Sequence, residues 1–174
     1  MDFYEILKTR RCIREFKSNV IPDDVLMKIV DIARNSPSCS PPYEVSIIVI
    51  KDEVRRKDMV PLCMNQKFIS DAPALLVVCA KNAKKNRGNY MADYGMLIDG
   101  AIVMDHITLI ARAEGLATCW IGSFDNHKIK EFLSIPEDIN VVALTPIGYP
   151  TNIDLFCLSK NKKKLEEIVH FEKW

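Results

Sequence analysis

Residues 91–114 constrain the fold more than any other segment, because they are helical in pattern and apolar around most of the circumference. Only Asp93, Asp99, Asp105 and Arg112 are charged in the interior of that stretch. A helix of this kind has to be covered, either by the rest of the fold or by another subunit. Gly115 follows in the position of a C-cap.

Strands supply part of that cover. Val45–Ile50 and residues 74–80 are β-branched, nearly continuous apolar runs and read as strands buried on both faces. Residues 139–147 read as a third strand, and 118–121 as a short extended piece. Shorter helices fill the intervals. Phe3, Ile6 and Leu7 share one face of a first helix, opened by Asp2 with Glu5 three residues on, a capping-box pattern. Pro22-Asp23-Asp24 opens a second, with Val25, Ile29, Ile32 and Ala33 on its apolar side; it ends before Pro37. Residues 54–62 form a short helix. Asp125 caps one carrying Ile129, Phe132 and Leu133, which stops at Pro136. Residues 36–42 and 81–89 read as loops.

At 174 residues and 48% hydrophobic, the chain 1–174 is most simply one domain. Residues 151–174 have too little apolar periodicity to fold alone and read as an arm packed on something else. A formal net charge of +1, from 24 basic and 23 acidic residues, gives no general drive toward nucleic acid or an anionic membrane. No stretch approaches the roughly 20 apolar residues of a membrane span. The N-terminus lacks the basic and apolar regions of a signal peptide. The nearest two of the six cysteines, Cys63 and Cys79, stand 16 residues apart, so no zinc or iron–sulfur spacing exists and no metal is expected. Cys79 and Cys119 lie in apolar runs and behave as small core residues. Reduced thiols in the cytoplasm are the simplest setting.

Any basic function is therefore local, and one local feature stands out. Arg10, Arg11 and Arg14 fall within five residues where the first helix gives way to a loop. Guanidinium groups are permanently charged planar forks that grip phosphate through paired hydrogen bonds. The cluster suits an anionic ligand with a second negative centre beyond its phosphate; it also suits a solvated basic turn. It is too short for a nucleic-acid stripe. His106, His127 and His170 are scattered, and no nucleophile–base arrangement emerges.

Several segments, in order, resemble the FMN-dependent nitroreductase family. Arg10-Arg11-Cys12-Ile13-Arg14-Glu15-Phe16 looks like its flavin-phosphate motif, and Ile21-Pro22-Asp23 with the helix ending Asn35-Ser36-Pro37-Ser38 is similar to its second block. Ala72-Pro73-Ala74 precedes a strand as it does in that family. The most specific match is Glu114-Gly115-Leu116-Ala117-Thr118-Cys119-Trp120-Ile121-Gly122-Ser123-Phe124. Ile135-Pro136-Glu137, Pro146-Ile147-Gly148-Tyr149-Pro150 and the ending from Lys162 to Trp174 follow at family-like distances.

This resemblance implies an α+β fold: a central mixed β-sheet flanked by helices, in an intertwined homodimer with FMN at the interface. It implies Arg10 and Arg11 on the FMN phosphate and ribityl chain, and Arg14 at the N1–C2=O edge. Lys162, with Lys163 beside it, would add a phosphate contact. Gly122 and Ser123 would bring backbone N–H groups to the N5 region, and Asn65 would face the pyrimidine edge. Trp120 and Tyr149 stand where they could border the flavin or simply fill core. Two departures stand out. Cys12 replaces the motif's usual serine, and a thiol is the weaker donor. The loop that usually carries asparagine and then Gln-Pro-Trp reads Cys39-Ser40-Pro41-Pro42-Tyr43, leaving Ser38, Ser40 or backbone groups to substitute.

The implied activity is electron transfer from NAD(P)H through FMN to a nitro compound, quinone or other small-molecule acceptor by a ping-pong route. The alternative is a flavin-binding redox sensor or carrier without turnover.

Overall fold

Four strands form one sheet in the order β1-β2-β4-β3, built from β1 (Val45–Ile50), β2 (Ala74–Lys81), β3 (Ala117–Thr118) and β4 (Ile139–Gly148). The computed structural model describes residues 1–38, 44–81, 89–159 and 162–174, and at 89–93 the backbone alone. All pairings between these strands are antiparallel; the parallel component of the sheet is an isolated bridge between Cys12 and Thr118. The helices are α1 (Phe3–Thr9), α2 (Asp23–Ala33), α3 (Glu53–Leu62), α4 (Phe68–Asp71), α5 (Asn89–Ala113) and α6 (Asn126–Phe132). Of the expected loops 36–42 and 81–89, residues 39–42 and 82–88 lie outside the described residues, as does Lys160, while Lys81 ends β2 and Asn89 opens α5.

Both faces of the sheet are covered, which is why its central strand is an apolar run rather than an alternation. Leu76 and Val78 of β2 meet Leu26, Ile29, Met104 and Ile107 on the α2/α5 side. Leu75 and Val77 meet Met59, Ile69 and Ile129 on the α3/α4/α6 side. β2 is buried from Ala74 to Ala80. β1 is not: it is an edge strand, exposed at Ser46, buried at Ile50 and half-buried elsewhere. An apolar run reports what a strand's two faces touch, and says nothing about whether both its edges are paired.

α5 lies directly on β4. The β2–β4 register shifts between Val78 and Cys79, leaving Val142 as the extra residue of a bulge. A Cβ added at Gly100 would stand 2.7 Å from the Val142 methyls, so only glycine admits this approach. Val103, Met104, Ile107 and Ala111 are buried on that side, whereas Tyr94 and Leu97 are exposed. Tyr94–Ala113 is in fact long and apolar enough to cross a membrane by length and composition, contrary to the expectation that no stretch qualifies. Its packing on the sheet makes it the core helix. Gly115, at φ 74°, closes it, and Leu116 N–H donates to Ala111 in a 2.8 Å bond.

Two helix faces differ from their sequence patterns. In α1, Asp2 accepts from the Tyr4 and Glu5 N–H groups as a cap, but only Ile6 is buried; Phe3 and Leu7 are exposed. In α2 the core side is Leu26, Ile29 and Ala33, and Ile32 faces solvent. Among the described residues after β4 there are two single 3-10 turns, Ile153–Leu155 and Leu165–Glu167. Leu165, Ile168, Phe171 and Trp174 are exposed along this arm, Trp174 to 99%.

Candidate active site

The arginine segment is held as an extended piece between two elements of the sheet. Ile13 N–H donates to Thr118 O at 2.9 Å, and Lys17 N–H to Tyr149 O at 2.8 Å. Phe16 forms an antiparallel bridge with Pro150, and Thr151 N–H donates to Glu15 O. Ile13 and Phe16 are buried with Ala72 and Ala117 in a small third core, against Phe68, Leu155 and Phe156. Arg14 and Glu15 between them, and Cys12 just before, are exposed. A Cβ at Gly148 would meet Pro73 at 2.6 Å and the Phe16 ring at 3.1 Å, so glycine lets Phe16 seat against the end of β4.

The three arginines do not act as one group. Arg11 turns back: its guanidinium donates to Lys8 O at 2.9 Å and to Arg10 O, serving the open carbonyl end of α1. Arg14 points away from that end, with its guanidinium carbon 5.6 Å from the centre of the Phe68 ring. Arg10 and Arg14 both act electrostatically on the Cys12 thiol, which lies between them in sequence.

Cys12 and Cys119 are in side-chain contact. The hydrogen bond from Cys119 is the main cause that lowers the Cys12 thiol to about 5, helped by the Trp120 backbone and by Arg10 and Arg14. Cys119 is pushed up, first by that same bond and then by burial. Its N–H donates to Thr145 Oγ1 at 3.1 Å, fixing the backbone at the end of β3. Cys63 and Cys79, by contrast, are raised to about 12 and about 11 by burial alone. Cys12 is thus unlike the other thiols of the core, a distinction that apolar runs and spacing do not carry.

Gly122 and Ser123 lie on the loop after this pair. Ile121 N–H donates to Leu144 O and Asp125 N–H to Leu62 O. Between them, the N–H groups of Gly122 and Ser123 have no intramolecular acceptor among the described residues. Asn65 is brought to the same place: Gln66 Nε2 donates to Ser123 O at 3.2 Å and to Cys63 O at 3.0 Å. Asn65 itself is exposed with φ 59°, a left-handed conformation asparagine tolerates better than most residues. Gln66 was not singled out in the sequence, and nothing in its local pattern marks it.

Other expected residues stand elsewhere. Ser38 Oγ donates to Asp99 Oδ2 of α5 at 3.1 Å, so its hydroxyl proton is committed within the protein. Lys162 and Lys163 are exposed on the arm, and among the described residues no hydrogen bond or ion pair joins them to the arginine segment. The altered loop at 39–43 lies outside the described residues. A hollow of about 590 Å³ lined by Asn126, His127, Lys130 and Glu131 shares no residue with the arginine segment. Among the described residues no group of three or more His, Cys, Asp or Glu side chains could hold a metal.

A further residue anchors the site from beneath. Arg112 of α5 is buried, and its Nε donates to Thr9 Oγ1, the last residue of α1, at 3.2 Å. Burial lowers its pKa, and Nη1 has no partner among the described residues. Its being a lone cation in an apolar helix was the available signal.

The nitroreductase family model matches residues 7–149, which takes in the arginine segment, all four strands and the Gly122–Ser123 loop. The chain belongs to the nitroreductase family. The crystal structure of a nitroreductase family protein from Clostridium novyi NT superposes with a TM-score of 0.80 at 34% identity, over 90% of this chain and 92% of that one. An Archaeoglobus fulgidus protein provisionally named NADH dehydrogenase/NAD(P)H nitroreductase is 29% identical over 98% of this chain and 97% of its own length. A Bacillus subtilis protein named FMN reductase (NADPH) is 23% identical, over 86% of this chain and 66% of its own. The nitroreductase-like α+β architecture, with helices on both faces of the sheet, is thus shared with solved members of the family.

Proposed function

We propose that this nitroreductase is an FMN-dependent oxidoreductase that passes electrons from NAD(P)H to a nitro compound, a quinone or another small acceptor by a ping-pong route. One juxtaposition carries this reading. Arg10 and Arg14 flank an extended segment pinned to Thr118, beside a loop whose Gly122 and Ser123 N–H groups have no acceptor among the described residues. Family membership supports a flavin, and the Bacillus subtilis relative's name supports FMN with a nicotinamide donor.

The donor set fits FMN: fixed cations for a phosphate and for an anionic ring edge, and backbone donors for a ring nitrogen. Arg10 would hold the phosphate, with Arg11 contributing from the end of α1. Arg14 would stand at the N1–C2=O edge, and Gly122 and Ser123 at the N5 region. Asn65, on the stretch that Gln66 ties to Ser123, would face the pyrimidine edge. Cys12 and Ser38 keep the places the resemblance assigns them beside the flavin. Ser38 Oγ donates its hydrogen bond to Asp99 Oδ2.

Bound FMN supplies the two-electron redox chemistry, so the chain needs no nucleophile of its own. Arg14 would stabilise negative charge at the pyrimidine edge, and more strongly where water is excluded. The N–H groups at 122–123 would orient the reactive edge. Phe68 under Arg14 holds that cation in place.

The assembly we infer is a two-fold homodimer with FMN at the interface. Leu165, Ile168, Phe171 and Trp174 on the arm, Tyr94 and Leu97 on α5, and Phe3 and Leu7 on α1 are exposed in the single chain. Burying each is worth roughly 1.5–3 kcal/mol. Exchange of arms between two copies would cover them and carry Lys162 and Lys163 to the partner's flavin phosphate. A cytoplasmic setting fits the free thiols.

The test is reconstitution with FMN, followed by steady-state oxidation of NADH and of NADPH with a quinone and a nitroarene. Parallel double-reciprocal lines are expected. Tight FMN binding with no turnover of either nicotinamide would replace the oxidoreductase with a flavin-binding sensor or carrier.

A further inference from the structure

The Cys12 thiol and the Cys119 thiol face each other at the join between the arginine segment and the end of β3. Cys12 opposes Thr118 in a parallel bridge locked by the 2.9 Å bond from Ile13 N–H to Thr118 O. Cys119 is the next residue along, just past β3, where strict alternation of side chains is no longer imposed. Strand spacing and rise put such a diagonal pair of Cα atoms about 6 Å apart, within the span of a disulfide. The two side chains interact, with Cys119 as the donor toward the Cys12 sulfur. Backbone bonds on both sides of the pair, from Ile13 to Thr118 and from Cys119 to Thr145 Oγ1, hold this geometry.

We propose that Cys12 and Cys119 form a redox-active dithiol, with Cys12 as the attacking sulfur and Cys119 as the resolving one, that closes to a disulfide on reaction with a hydroperoxide. The roles follow from placement. Cys12 is exposed and flanked by Arg10 and Arg14, the electropositive, accessible setting that makes a thiol reactive. Cys119 is buried. The lowering of the Cys12 thiol agrees with that order.

The chemistry is balanced in two steps. The Cys12 thiolate attacks the terminal peroxide oxygen and the O–O bond breaks. Sulfur is oxidised by two electrons to a sulfenic acid, and the leaving alkoxide or hydroxide takes up a proton. Cys119 then loses its proton and attacks the Cys12 sulfur; the S–O bond breaks and water leaves with that proton. The dithiol has given up two hydrogens, and the hydroperoxide has become an alcohol, or water, plus water.

Cys63 and Cys79 are excluded as partners by position. Each is buried in the core on the α3/α6 side of the sheet. Cys157 is exposed on the arm and serves as the control.

The experiment treats the full-length protein, FMN-free and FMN-loaded, with hydrogen peroxide. Remaining thiols are then alkylated and the protein digested without reduction, and the peptides are mapped by mass. The expected product joins the Cys12 peptide to the Cys119 peptide with loss of two hydrogens. It should persist in Cys157→Ser and vanish in Cys12→Ser. In the reduced wild type, iodoacetamide should label Cys12 well below neutral pH, ahead of every buried cysteine. Cys12 linked to any other cysteine, over-oxidised without a link, or still freely alkylated after peroxide overturns the proposal. The map requires no flavin and no variant, so its failure is separate from any failure of the oxidoreductase reading.

Discussion

The guanidinium carbon of Arg112 stands 4.0 Å from the centre of the Phe156 ring, so the long helix grips the start of the C-terminal arm. The same side chain bonds Thr9, one residue before the arginine segment begins. One cation thus ties α5, the end of α1 and the arm together beneath the candidate site.

Arg112→Met keeps most of the bulk and removes both links. A desolvated cation–π contact is worth about 2 kcal/mol, and the hydrogen bond from a charged donor about 1.5–3. The thermal midpoint should fall by several degrees and FMN affinity should drop with it. An unchanged midpoint and affinity would show that Arg112 fastens nothing.

Arg10 and Arg14 are expected to separate in function. Arg10→Ala should mainly cost FMN affinity, on the order of ten- to a hundred-fold, as loss of one charged hydrogen-bond partner predicts. Arg14→Ala should lower the flavin potential and slow flavin reduction more than it weakens binding. Fluorescence titration and redox titration of both variants check this. Matching behaviour in the two measurements would dissolve the division of roles.

Gly148→Ala tests how the arginine segment is seated. The new Cβ would fall 2.6 Å from Pro73 and 3.1 Å from Phe16, and the neighbouring backbone cannot yield freely. Overpacking of this kind costs about 1–3 kcal/mol. Phe16 should shift, carrying Arg14 with it, so denaturation should show lower stability and titration weaker FMN binding. Gly122→Ala is the contrast for stability, since its Cβ would meet nothing closer than 3.8 Å.

Removing the chain after Thr151 should abolish both dimerisation and FMN retention. It deletes Phe156, the Arg112 partner, together with Lys162, Lys163 and the exposed apolar residues of the arm. Light scattering and an absorption spectrum read the two effects. A truncated protein that stays dimeric and yellow would sink the arm-exchange assembly.

Much of this protein was written in local pattern. Asp2, Asp125 and Gly115 marked helix ends because capping is a contact between near neighbours. The runs at β2 and β4 were legible as strands because a strand covered on both faces needs apolar residues throughout. Arg10, Arg11 and Arg14 stood out as a basic cluster for the same local reason. What could not be read was anything set by contacts between distant segments. That β1 is an edge depends on which strands pair, and that Leu26 replaces Ile32 in the core depends on how α2 lies on the sheet. Arg11 turning back to α1, Gln66 reaching Ser123, Arg112 joining Thr9 to Phe156, and Cys12 meeting Cys119 are all matters of approach in space. Spacing along the chain records which groups are present, and packing alone decides which of them touch.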